Sequence, residues 1–210
     1  MYNTYLFDFD GTLVDSMPAF ISVMKRILDE HGISYGPDLV KIITPLGYAG
    51  TARYFRQLGL EKSESELTGL MNQYALSEYQ YRIPAKETVI DTLIKLKEAG
   101  ANLNVLTASP HSMLDPCLKR LGIYDLFTNV WSCDDFNTTK ADLEIYKMAA
   151  RKIGQPVEKI LFLDDNFNAD KTAKEAGMAV CGVYDDSSSE YEEEIRSVTD
   201  MYIYRFSELL

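Results

Sequence analysis

The sequence predicts an α/β protein: a Rossmann-like core with a mainly parallel sheet, and a small all-helical cap domain inserted after the first strand. Three observations carry this expectation. From residue 84 onward, short apolar runs alternate with helical stretches that end in glycine, the pattern of βαβ crossovers. Residues 17–82 show helical periodicity with no β-like alternation. Ahead of both stands a buried apolar run, 4–9, that ends in the glycine turn Asp8-Phe9-Asp10-Gly11-Thr12, and α/β folds place chemistry where a strand runs into such a turn. The expected division is therefore a core of residues 1–16 and 83–210, with the cap at 17–82.

Within the insert, Phe20, Val23, Met24, Ile27 and Leu28 recur at i, i+3, i+4, i+7 and i+8 until Gly32 stops the pattern. Further helices are expected over 37–44, 50–58 and 63–82. The last is opened by Ser63 with Glu66 three residues on, a capping-box signature. In the core, helices are expected over 86–99, 114–121, 141–153 and 169–176, ended by Gly100, Gly122, Gly154 and Gly177. The intervening strands fall at 103–106, 130–133, 160–163, 178–183 and 201–204. The acidic stretch 185–194 reads as a solvated loop running into an exposed helix face, with no assigned role.

Composition narrows the function classes. The 210 residues carry 32 Asp plus Glu against 21 Lys plus Arg, a net charge of −11, which repels polyanions and excludes unaided binding of nucleic acid or an anionic membrane. With 46% apolar residues the chain can bury a sizeable core. Cys117, Cys133 and Cys181 form no CxxC pair and only two histidines are present, so neither a zinc site nor a disulfide framework fits. No apolar run approaches the ~20 residues of a membrane span. Residues 1–8 lack a basic n-region, and the expectation is a cytoplasmic protein, monomeric or homodimeric.

Four polar clusters each follow a predicted parallel strand, and strand C-termini share one sheet edge. Asp8 and Asp10, Thr107, Lys140, and Asp164 with Asp165 should therefore converge. Carboxylates this close repel one another unless a cation sits among them, and oxygen donors that leave room for phosphate and water point to Mg²⁺ on Asp8, Asp10, Asp164 and Asp165. Asp8 is the expected nucleophile toward phosphorus, and Asp10, two residues on, the general acid and then base. Thr107, the Ala108 N–H and Ser109 are expected to bind phosphate oxygens together with Gly11 and Thr12, and Lys140 to neutralise charge. Arg53, on the helix after residues 44–50 of the insert, is the candidate cap contact to an anionic substrate, with Arg56 beside it.

These residues resemble the motifs of the haloacid dehalogenase superfamily, in its phosphoglycolate phosphatase and β-phosphoglucomutase branch. Its first motif stands here as Asp8-Phe9-Asp10-Gly11-Thr12 and its second as Val105-Leu106-Thr107. The third is Lys140, followed by Ala141-Asp142 instead of the usual proline, with Lys147 as the alternative. The fourth is Asp164-Asp165, an acidic pair in place of Gly-Asp-Ser, with no ligand carried onto Asp170. The resemblance implies a core with a C1-type helical cap and hydrolysis of a small phosphorylated metabolite with Mg²⁺ through an aspartyl-phosphate. Its alternatives are a phosphosugar mutase of the β-phosphoglucomutase type and a non-catalytic binder of a phosphorylated ligand. A phospho-accepting receiver domain would carry its acidic pair ahead of the acceptor, the reverse of the order here.

Overall fold

The computed structural model describes residues 2–210, so Met1, the first residue of the expected core, lies outside them. Six strands form one sheet: β1 (Thr4–Phe7), β2 (Asn102–Thr107), β3 (Asn129–Ser132), β4 (Ile160–Asp164), β5 (Ala179–Val183) and β6 (Met201–Ile203). The order is β3-β2-β1-β4-β5-β6 and every pairing is parallel. The chain thus leaves β1 toward β2 on one side and β4 on the other, and the crevice at that reversal is where open α/β sheets hold ligands.

Helices α5 (Val89–Glu98), α6 (His111–Arg120), α7 (Glu144–Ile153), α8 (Phe167–Glu175) and α9 (Glu192–Val198) belong to the same unit as the sheet. Strand alternation explains the layering. Leu6, Leu106, Phe162 and Val180 share one face and form a buried cluster with Ile145, Tyr146 and Ala149 of α7 and Ala169 and Ala173 of α8. Phe7 has the opposite parity and packs against Phe127 and Phe206, at ring-centroid separations of 6.2 and 5.9 Å. Both faces are covered, so the central strands read as continuous apolar runs.

A second compact unit, Ser16–Ile83, is all-helical: α1 (Met17–Glu30), α2 (Leu39–Ile43), α3 (Gly47–Gln57) and α4 (Glu64–Tyr81). Its core joins Val23, Met24, Ile27 and Leu28 of α1 to Ile43, Phe55, Leu67 and Met71. The capping box of α4 is formed: Glu66 N–H donates to Ser63 Oγ at 3.2 Å and Ser63 N–H to Glu66 Oε2 at 2.8 Å.

Several boundaries differ from the sequence expectation, each for a local reason. Residues 44–50 do not separate two helices as a loop. Thr44–Leu46 form a 3₁₀ turn that leads directly into α3, the change of direction falling on Gly47 at φ +60°. Helix α5 starts at Val89 and not at residue 86, because Thr88 takes φ +67° and Lys86 N–H donates to Leu13 O. Helix α7 starts at Glu144, because Asp142 folds back to accept the Glu144 N–H at 3.0 Å and the Thr138 hydroxyl at 2.9 Å. The acidic stretch is largely 3₁₀ turn and α9, but its first member, Asp185, is buried, which corrects its reading as a solvated residue. All three cysteines are buried and unpaired, and among the described residues no helix is long and apolar enough to cross a membrane.

Candidate active site at the carboxyl edge of the sheet

Asp8 follows β1 directly, and its N–H still donates to Leu163 O at 2.8 Å. Because Phe7 is in register with Leu163, Asp8 falls beside Asp164, and both continue the parity of Leu6 and Phe162 toward the α7 and α8 face. Lys140, in the turn before α7, completes the arrangement: its Nζ donates to Asp8 Oδ1 and, at 2.7 Å, to Asp164 Oδ2. The main chain of Lys140 is fixed by the buried Tyr146, whose hydroxyl reaches the carbonyl oxygens of Lys140 and Ala169, each at 3.1 Å. Two residues after Lys140, Asp142 accepts the first N–H of α7.

One oxygen from each of Asp8, Asp164 and Asp165 lies within 4.8 Å of the others. Asp165 is held from two sides. Thr12 Oγ1 donates to Asp165 Oδ1 at 3.3 Å, and the main chain of Gly11 lies so close that a Cβ there would stand 2.6 to 2.7 Å from the Asp165 carboxylate. Gly11 also has φ +74°, so the turn requires glycine on both counts. Across the site, Ser109 Oγ donates to Asp10 Oδ2 at 2.5 Å, and Thr107 Oγ1 accepts the Ser109 N–H at 3.1 Å. Ala108 is exposed at that turn. The structure thus brings Asp8, Gly11, Thr12, Lys140, Asp164 and Asp165 into one contact network, with a second that joins Asp10 to Thr107 and Ser109 of the turn after β2.

Electrostatics make the carboxylate cluster a candidate cation site. Burial pushes the Asp8 carboxyl up, Lys140 pulls it back, and Asp164 and Asp10 push it up again, to about 8. Burial, then Asp164 and Asp8, raise Asp165 well above the ordinary carboxylate range. Burial alone would lower Lys140, but Asp164 and Asp8 outweigh it and hold the ammonium well above its usual value. One ammonium among the buried Asp8 and Asp164 and the half-buried Asp165 leaves acids in excess over cations. A hard divalent cation relieves it, and an all-carboxylate donor set suits Mg²⁺.

This carboxylate cluster at a topological switch point coincides with a family match. A family model for haloacid dehalogenase-like hydrolases covers residues 5–183. The chain belongs to the haloacid dehalogenase-like hydrolases. Within that family it is similar to YhcW, a candidate phosphatase of Bacillus subtilis (strain 168), with 29% identity over 181 residues, covering 85% of this chain and 81% of the relative. It is equally 29% identical over 180 residues to the pyrophosphatase PpaX of Bacillus velezensis, covering 85% and 81%. A solved structure described as a candidate β-phosphoglucomutase of Thermotoga maritima shares the fold at a TM-score of 0.85, with 20% identity and coverage of 99% and 96%. Within that family its curated relatives are phosphatases, and with the β-phosphoglucomutase structure it shares the fold.

Other sequence candidates fall elsewhere. Lys147 is on α7 and pairs with Glu144 at 2.7 Å, so Lys140 is the lysine at Asp8. Arg53 and Arg56 belong to the helical unit, where both face Glu64, at 3.7 and 3.8 Å. His111 opens α6 between two carboxylates, with Nδ1 2.8 Å from Asp115 Oδ1 and Nε2 2.8 Å from Asp135 Oδ2. Asp170, in the first turn of α8, is fully buried, and among the described residues neither of its oxygens has a hydrogen-bond partner. Burial, followed by Asp164 and Asp165, raises it well above the ordinary range and favours its neutral form.

Sequence reasoning missed Lys86 and Asp185. Their ion pair, at 2.9 Å, lies beneath the Gly11 turn. Asp185 carries a usable signal, since it stands two residues past β5, as other acids follow β1 and β4. Lys86 carries none.

Proposed function

We propose that the protein is a Mg²⁺-dependent phosphatase that releases phosphate from a small phosphorylated metabolite through an aspartyl-phosphate on Asp8. The observation that carries this reading is the Lys140 ammonium shared by Asp8 and Asp164, with Asp165 completing a carboxylate cluster at the strand ends. Asp8, Asp164 and Asp165 are the residues that would hold the cation. Mg²⁺, when bound there, supplies charge neutralisation for the substrate phosphate and for the group being transferred.

The remaining steps belong to the chain. Lys140 pulls Asp8 back toward its ionised form against burial and fixes the carboxylate that attacks phosphorus. As the ester P–O bond breaks, Asp10 gives its proton to the leaving oxygen, and the Ser109 hydroxyl on Oδ2 sets the orientation of that carboxyl. Asp10, now ionised, takes a proton from water. The resulting hydroxide attacks phosphorus, the bond to Asp8 breaks, and inorganic phosphate leaves with Asp8 again a carboxylate and Asp10 again protonated. Thr107, the Ala108 N–H and Ser109 bind the nonbridging phosphate oxygens. Residues 17–82, within the helical unit Ser16–Ile83, are proposed as the cap domain that selects the substrate, with Arg53 as its contact to an anionic group.

Replacing Asp8 by Asn tests the assignment. Hydrolysis of p-nitrophenyl phosphate with Mg²⁺ is expected to fall by about 10³-fold or more, with an unchanged circular-dichroism spectrum. Retained turnover in a folded Asp8→Asn variant contradicts the reading. Run with a hexose 1-phosphate and a bisphosphate primer, phosphorus NMR of the wild type separates phosphate release from isomerisation, the outcome expected of a mutase.

A further inference from the structure

Lys86 takes no part in the steps above, yet it is placed more exactingly than a surface lysine needs to be. Its side chain is only 18% exposed, and Nζ donates to Gly11 O at 2.6 Å, to Tyr184 O and to Asp185 Oδ2 at 2.9 Å. Three acceptors match the three protons of an ammonium. Asp185 is itself anchored, because its other oxygen accepts the Ser187 N–H at 2.9 Å and the Ser187 hydroxyl at 2.5 Å. The main chain of Lys86 adds a second tie to the same turn, its N–H donating to Leu13 O at 3.0 Å.

What Lys86 grips is the peptide between the two halves of the site. Asp10 precedes Gly11 and Thr12 follows it, and Thr12 donates to Asp165. The clearance between Gly11 and Asp165 is too small for even a methyl group, so a shift of the Gly11 carbonyl moves the wall against which Asp165 rests. Taking an ammonium largely out of water costs hydration, of which a single carboxylate recovers only part. An apolar side chain would fill the same space without that penalty. Tethering to Asp185 aims the charge at a main-chain oxygen of the catalytic turn.

We propose that Lys86 is a positioning residue for phosphoryl transfer: by holding the Gly11 carbonyl it keeps Asp10 and the Asp165 side of the cation site in register with Asp8. The proposal rests on the phosphatase reading above. It is tested on the full chain with Lys86→Met, measuring Mg²⁺ binding by calorimetry without substrate, kcat and KM for p-nitrophenyl phosphate at saturating Mg²⁺, and the melting temperature. The expected result is a fall in kcat of about 10-fold or more, KM within about 3-fold, and a Mg²⁺ dissociation constant raised about 3-fold or more. A lower melting temperature with unchanged kcat and unchanged Mg²⁺ affinity is the signature of a structural role and overturns the proposal.

Should Lys86→Met not fold, Lys86→Gln keeps a donor for Gly11 O while losing the charge. Its kcat is expected to fall about 3-fold, with Mg²⁺ affinity again weakened. Wild-type values in folded Lys86→Gln, or failure of both variants to fold, overturn the proposal. Wild-type protein that neither binds Mg²⁺ nor hydrolyses the ester contradicts the phosphatase reading and removes the proposal with it. That outcome is distinct from a fully active Lys86→Met.

Discussion

At the scale of single residues, the site is built from groups whose chemistry is visible in sequence and from others whose role exists only after folding. Asp8, Asp164 and Asp165 are legible because each ends an apolar run, and parallel strands deliver such ends to one edge. Gly11 is legible as a turn, but not as the neighbour that a Cβ would drive into Asp165, since that contact spans more than 150 positions of chain. Lys86 and His111 are illegible for the same reason. Lys86 meets its partners from turns after β1 and β5, and His111 meets Asp135 from the far side of β3. His111 yields a pH prediction. Hydrogen bonds to Asp115 and then Asp135 raise it above its ordinary value of 6.5, with burial opposing. A histidine raised in the folded state contributes stability that is fully present below the unfolded value and is lost as pH climbs through the folded one. The melting-temperature gap between wild type and His111→Ala should therefore be widest below about pH 6 and smallest near pH 9. A gap that stays constant or widens with pH contradicts the imidazolium bridge.

At the scale of elements, apolar periodicity located every strand and the main helices, while the first turns of helices were the least readable. Starts moved where a side chain or a special main-chain angle competed with helix geometry: Thr88 at φ +67° ahead of α5, Asp142 ahead of α7, and Asn166 ahead of α8, where its side chain accepts the N–H groups of Asn168 and Ala169. The start of α4, read accurately, carries a reciprocal cap written into four residues. Its contribution is testable in the helical unit. Ser63→Ala removes the acceptor for the Glu66 N–H and the partner hydroxyl of its carboxylate, and the melting temperature should fall by about 2–4 °C. The hydrolysis of p-nitrophenyl phosphate at low temperature should not change. An unchanged melting temperature would show that the cap does not limit the stability of α4.

At the scale of the whole molecule, the net charge of −11 and the proposed phosphorylated substrate are reconciled by locality. The field far from the protein repels polyanions, while the strand ends gather three acids, one lysine and room for a divalent cation. A sheet with β1 between β2 and β4 makes that gathering possible, because only a parallel arrangement brings residues 8, 107, 140 and 164 to one edge from across the chain. The central claim is that Asp8 becomes covalently phosphorylated and that Asp10 is needed to release it. An Asp10→Asn variant with p-nitrophenyl phosphate isolates this claim, since p-nitrophenolate leaves without a proton from the protein, whereas hydrolysis of the phosphoenzyme needs the base. Rapid mixing with acid quench and peptide mass analysis should give a burst of p-nitrophenolate equal to the enzyme concentration, and a peptide carrying one phosphoryl group on Asp8. Absence of a burst, or a phosphoryl group found on any other residue, would contradict the account.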